Sequence, residues 1–203
     1  MTQIALPFGT IGESRPSSIV LGASNRQVAE ALQHAKDWPY GTAILTGPPR
    51  SGRSLFARWF ASHTGGGAID DADTLDETEV FHSWNRARED GYPLLLTVAG
   101  ETWDIALPDL RSRMGAALLL EIGPPDDDEA QALMLSHAAQ RGLAMGAGAP
   151  AYLVPRMERS HAAIERIVAE MDRLSLERKA PVTKSIWRDA LDAVQGPEQA
   201  RLL

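Results

Sequence analysis

The sequence predicts an α/β fold, a reduced and mainly parallel sheet covered by helices on both faces, followed by a small all-helical region. Three observations predict it. Short apolar runs alternate with segments of helical period through the first 123 residues, as parallel strands joined by crossover helices require. A Gly/Pro-rich turn at residues 47–54 joins the first of those runs to a helix. Beyond Pro124 and Pro125 the apolar period is helical throughout.

The chain has 203 residues, 44% of them apolar, enough for one sizeable core and a small satellite domain. Its formal net charge is -7, which makes it a poor non-specific DNA binder, because phosphate affinity comes from Lys and Arg. The basic residues of the C-terminal third are interleaved with acids and read as a solvated face, so no direct sequence-specific DNA binding is expected. With no cysteine there are no disulfides or thiolate metal sites, which fits a reducing compartment. The longest apolar runs, such as residues 116–120, fall far short of the ~20 residues that span a bilayer. The N-terminus has neither the basic start nor the apolar stretch of a secretory signal. A cytoplasmic location without membrane contact is expected.

Three regions are expected: a flexible tail over 1–18, an α/β domain over 19–123 and a helical domain over 124–203. The tail is rich in Pro, Gly and Ser and has no periodicity. Ser24 is placed to cap a helix with Val28, Ala31, Leu32 and Ala35 on one face, ended by Trp38, Pro39 and Gly41. Strands are predicted over 42–46, 68–69, 94–98 and 117–121, and helices over 53–62 and 77–90. Residues 62–68 leave no room for a further strand and helix, so the sheet should have four strands.

In the helical region, Asp126 to Glu129 place four carboxylates at a helix start, where the macrodipole favours them. Ala130, Leu133, Met134, His137 and Ala138 form that helix's stripe. A loop over 142–150 precedes a short helix near 151–157. Ser160 caps a long helix burying Ile164, Ile167, Val168, Met171 and Leu174. Thr183 caps the last, with Ile186, Trp187, Ala190, Leu191 and Val194. The five histidines have no ligand-like spacing and read as surface or helix-face residues.

Chemistry concentrates at two places. Gly47, Pro48, Pro49, Arg50, Ser51, Gly52, Arg53 and Ser54 fit the phosphate-loop pattern G-x-x-x-x-G-K-[ST] with Arg in the Lys position. Such a loop aims backbone N–H groups at a phosphate, and the following helix adds its positive end. Gly47 and Gly52 let the backbone approach closely, Ser54 offers a hydroxyl to Mg2+, and Arg53 keeps a positive charge near the β- and γ-phosphates. A planar guanidinium replaces a point-charge ammonium poorly, so hydrolysis should suffer more than binding. The plain alternative is an ordinary turn. The second place is Asp70 and Asp71 after the strand at 68–69. An acid there can hold the Mg2+ shell, and the next can orient the attacking water. Alone, this could equally be a solvated acidic turn.

With these residues in hand, the sequence resembles the AAA+ domain of the bacterial replication initiator DnaA. It is more similar still to the shortened relative Hda, over nearly the whole chain. Residues 19–25, with Val20, Leu21, Gly22 and Asn25, are similar to the segment that lies against the adenine. Residues 47–54, including Pro48 and Ser51, resemble the family's phosphate loop, Leu55 beside them joins the expected nucleotide-binding set, and Arg53 is itself an Hda-like feature. Residues 69–73 resemble its Mg2+ segment, and 94–97 the strand carrying the first sensor, Thr97. Residues 107–113 resemble the L-P-D-L-x-S-R segment of Hda, whose final Arg, here Arg113, is the finger that reaches a neighbour's nucleotide. Gln3, Leu6, Pro7 and Phe8 resemble the peptide with which Hda binds the sliding clamp.

The resemblance implies ADP or ATP with Mg2+ as ligand. It implies the initiator DnaA and the sliding clamp as partners, with self-association as a further option. It also implies weak or no ATPase of the chain's own, with Arg113 and Asp71 as the catalytic residues and Arg113 acting in trans. Ala162 falls where a second sensor Arg is expected, with Arg159 one turn earlier. Two rival readings stay open at this stage. One is an independent P-loop ATPase of helicase or clamp-loader type. The other is a nucleotide-free adaptor with an AAA+ fold.

Overall fold

A computed structural model describes residues 19–100 and 102–196. The tail residues Gln3, Leu6, Pro7 and Phe8 lie outside the described residues. The chain divides into two compact units. One is Ser24–Gly123; the other joins the segment ending at Ala23 to everything from Pro124 onward. Residues 19–23 therefore group with the helical unit, whereas the sequence assigned them to the α/β domain.

In the first unit, strands β1 (Thr42–Thr46), β2 (Gly67–Ile69), β3 (Leu94–Thr97) and β4 (Leu118–Glu121) form one sheet. The order is β2-β3-β1-β4 and every pairing is parallel. The sheet has the four strands expected, with β2 and β4 as its edges. Side chains alternate across the sheet. Ile44, Leu94 and Leu96 pack with Val80, Trp84 and Ala87 of α3 (Glu77–Asp90) and with Leu110 and Met114 of α4 (Pro108–Met114). The intervening Ala43, Leu45 and Leu95 are fully buried. Phe56 and Phe60 of α2 (Arg53–His63) and Val28 and Leu32 of α1 (Arg26–Gln33) are buried as well. Trp38 stacks on Phe60 with ring centroids 5.1 Å apart. Helix α3 starts at Asp76, whose carboxylate accepts from the amides of Thr78 and Glu79. It ends at Gly91, which takes the left-handed conformation (φ 74°) that glycine adopts without steric cost.

Three local expectations need correction here. Asn25, not Ser24, stands at the N-cap of α1, and the Ser24 carbonyl accepts instead from the amide of Gly123. Ala29 is buried on α1, whereas Ala31 is only half-buried. Residues 108–114, where no helix was predicted, form one. Pro108 starts it without losing a bond, because the first-turn N–H has no intrahelical partner.

The second unit holds α5 (Asp127–Gln140), α6 (Gly148–Leu153), α7 (His161–Arg178) and α8 (Lys184–Gln195) around one core. Asp126 caps α5 by accepting from Glu129 N, and Ser160 caps α7 by accepting from Ala163 N. All five predicted positions on α7 are buried. Four details differ from expectation. Helix α6 begins at Gly148, earlier than expected, and a 3-10 turn carries it on to Arg156. The Thr183 hydroxyl meets that of Ser185 rather than a backbone amide in the first turn of α8. Glu129 is buried rather than solvated, and so is His161.

Candidate functional site

The loop after β1 has the features an anion cup needs. Gly47 is fixed by crowding: a Cβ there would lie 2.9 Å from Ser51 Oγ and 3.0 Å from Ile122 Cβ. Ser51 donates its amide to the Pro48 carbonyl at 3.2 Å, which folds the loop back. Gly52 takes the left-handed conformation (φ 95°), and its carbonyl accepts from Leu55 N and Phe56 N to start α2. No side chain caps the first turn of α2. Ser51 Oγ is buried without a hydrogen-bond partner among the described residues. A buried hydroxyl without a partner costs about 1–3 kcal/mol. An orphan of this kind inside a loop of phosphate-binding pattern fits an oxygen-rich ligand. Ser54 and Leu55 follow in the first turn of α2, both half-buried.

Arg53 reaches toward the end of β3 and the acidic segment. Its Nη1 donates to the Val98 carbonyl at the end of β3, and its Nη2 stands 3.8 Å from Asp71 Oδ1. The side chain is 14% exposed, so the contact is partly shielded from solvent. The acidic segment is itself tied to β3. Thr97, fully buried, donates its hydroxyl to Asp70 Oδ1 at 2.6 Å and accepts from the amide of Asp71 at 2.8 Å. Asp71 is thereby held at φ 49°, a left-handed position that Asp tolerates better than most residues. With its proton on Asp70, the Thr97 hydroxyl has a lone pair but no donor left for a phosphate.

Asp73 is the residue the sequence reading passed over. Its Oδ2 accepts from Ala99 N at 3.1 Å, and its Oδ1 is buried without a partner among the described residues. Asp70 and Asp73 thus bracket residues 97–99, with Arg53 on Val98 between them. The spacing D-D-x-D was the available signal, but in a segment with many acids it looks like solvated charge.

The arginine helix α4 is held by α3 at both ends. Glu77 accepts from Ala106 N at 2.8 Å and from Leu107 N at 2.6 Å. Near the other end, the Arg113 guanidinium carbon lies 4.3 Å from the Trp84 ring centroid and 5.3 Å from that of Phe81. Arg111, by contrast, is exposed and donates Nε to the Ile105 carbonyl at 2.7 Å.

Val20, Leu21 and Gly22 belong to the helical unit, and Asn25 to the other. A Cβ on Gly22 would fall 2.3 Å from Glu129 Oε2, so the start of α5 and this segment are in van der Waals contact. Arg159 pairs with Asp127 Oδ1 at 2.9 Å on the surface. His161 is held below its ordinary pKa of 6.5, first by burial and then by the neighbouring His137. Among the described residues no group of three or more His, Cys, Asp or Glu is arranged to hold a metal by itself. No described helix is long and apolar enough to cross a membrane.

Comparison with known proteins agrees with this architecture. Domain III of the replication initiation protein DnaA from Thermotoga maritima superposes with a TM-score of 0.73 at 12% identity, covering 88% of this chain and 95% of that one. The RuvB Holliday junction branch migration motor of Thermotoga maritima gives 0.63 at 19% identity, over 88% of this chain and 72% of that one. The replication initiator DnaA bound to AMPPCP and single-stranded DNA gives 0.58 at 16% identity, over 79% and 66%. At these identities the likeness establishes the AAA+ fold. Residues 126–191 match the family model of the Hda lid domain. The chain thus joins a segment matching the Hda lid domain to an α/β body of AAA+ fold.

Proposed function

We propose that this protein regulates replication initiation by binding the DnaA initiator and promoting hydrolysis of the initiator's ATP. The observation that carries this is the Hda lid at 126–191 on a DnaA-like body that presents an arginine-bearing helix. ADP or ATP binds the chain itself through the amides of residues 47–54. Mg2+ is held by Ser54 and Asp70 together with phosphate oxygens, the hard ligands this ion prefers. The ion supplies charge neutralisation across the phosphates, and Asp71 is the acid placed to orient a water. Arg53, a planar guanidinium where the loop pattern has a point-charge ammonium, supports the chemistry poorly, and intrinsic turnover is low.

Arg113 supplies charge stabilisation at the initiator's nucleotide, where a fork of N–H donors matches phosphate oxygens. Gln3 donates hydrogen bonds to the sliding clamp, while Leu6, Pro7 and Phe8 anchor in its apolar pocket, so that hydrolysis is promoted where the clamp is loaded on DNA. The test mixes the chain with clamp, DNA and ATP-loaded initiator and measures hydrolysis. Stimulation should require all components. It should drop at least tenfold in Arg113→Ala with binding kept, and the Gln3→Ala/Leu6→Ala double variant should lose clamp pull-down. Full stimulation by Arg113→Ala would overturn the role of the finger. Steady-state turnover by the chain alone, lost in Asp71→Ala, would favour an independent ATPase. Calorimetry with no heat from ADP or ATP plus Mg2+ would favour the adaptor.

A further inference from the structure

We propose that Phe81 and Trp84 hold Arg113 in a parked state, which must break before this arginine can reach a partner's phosphate. The inference rests on the function proposed above and adds a control to it. Phe81 and Trp84 are three residues apart on α3 and so share one face. The Arg113 guanidinium lies over both rings, at 4.3 Å from Trp84 and 5.3 Å from Phe81. The seat is rigid. Trp84 is buried, and its Nε1 donates to Thr42 Oγ1 on β1 at 2.9 Å.

Helix α4 is fixed as well, since Glu77 holds the amides of Ala106 and Leu107 at its start. The movable part is the Arg113 side chain, so release is a rotation about its own bonds rather than a shift of the helix. The parked state is also incomplete. Arg113 Nε is buried with no acceptor among the described residues, whereas Arg111 Nε, two residues earlier, has the Ile105 carbonyl. Ring faces attract the cation but do not satisfy that N–H. A phosphate offers the fork the acceptors it lacks. The arginine therefore stays on α3 until a partner brings a nucleotide within reach, and the parked fraction lowers the effective finger population.

The experiment uses the full chain with 15N-labelled arginine. In the free protein the Arg113 Nε–Hε resonance, assigned by its loss in Arg113→Lys, should be displaced upfield by the ring currents of Trp84 and Phe81. Phe81 is half-buried, so Phe81→Leu is the conservative change, with a melting curve as the folding control. It should reduce the displacement, raise phenylglyoxal labelling of Arg113 by about threefold, and raise stimulation of the initiator's hydrolysis by a similar factor, as expected for losing one cation–π contact. Phe81→Trp should move all three readouts the other way. A wild-type resonance at the ordinary arginine position overturns parking. A resonance that is displaced in the wild type and relaxed in Phe81→Leu, with stimulation unchanged or reduced, overturns release as a control and makes the rings a mere support. Absence of stimulation by the wild-type chain refutes the proposed function instead, so the two failures are distinguishable.

Discussion

Thr97 joins the end of β3 to the acidic segment by donating to Asp70 at 2.6 Å. The same oxygen accepts from Asp71 N at 2.8 Å. One fully buried hydroxyl thus fixes the direction of one carboxylate and the backbone of the next.

Thr97→Val keeps the shape and removes both bonds. It leaves the Asp71 amide without its partner, so stability should fall by about 1–3 kcal/mol in urea unfolding. Calorimetric affinity for Mg2+-nucleotide should fall as well, because Asp70 loses its orientation. Unchanged affinity with lowered stability would confine Thr97 to a structural role.

Gly47→Ala tests the cup directly. The added methyl would press on Ser51 Oγ and Ile122 Cβ at 2.9 and 3.0 Å. Overpacking at such a site costs about 1–3 kcal/mol. The thermal midpoint should drop, and the rise in midpoint on adding nucleotide should shrink or vanish. A full nucleotide-induced rise in the variant would contradict a phosphate role for this loop.

In the helical unit, Gly22→Ala would set a methyl 2.3 Å from Glu129 Oε2. The carboxylate is buried, so it must turn or residues 19–23 must detach from α5. Limited proteolysis should then cut near residue 22 faster than in the wild type. Glu129→Ala in the same background should restore resistance, because it removes the clashing group.

His161 makes stability depend on pH in a set direction. Its folded pKa lies below 6.5, mainly through burial and then through His137. Below that value the unfolded chain takes up a proton that the folded chain resists, so this histidine lowers stability as pH falls. The charged groups that flank it in sequence, Glu158 and Arg159 before α7 and Glu165 within it, do not reverse that direction. Urea midpoints should fall between about pH 7 and pH 5, and the slope should lessen in His161→Leu.

Periodicity carried most of the fold. The five apolar positions of α7 and the whole span of α3 could be read directly, because long amphipathic segments repeat their signal several times. Helix α4 could not, because seven residues give under two turns and its buried pair, Leu110 and Met114, is one i,i+4 step. The loop at 47–54 and the acids at 70 and 71 were legible as a pattern because backbone geometry demands Gly at fixed offsets. Where Arg53 points was not, since its partners, Asp71 and the Val98 carbonyl, come from distant parts of the chain. For the same reason nothing local marked Arg113 as seated on two rings, or Glu129 and His161 as interior.

The short crossover from α2 to β2 has a consequence for how copies of this chain meet. Only Thr64 to Gly66 separate His63 from β2, and a Cβ on Gly66 would strike the Phe60 ring at 2.5 Å. The rim strand is therefore capped at three residues, roughly 10 Å of ladder. That is too little rail for a stranger's backbone to zip along, so the omission that shrinks the sheet also guards its open side against runaway stacking.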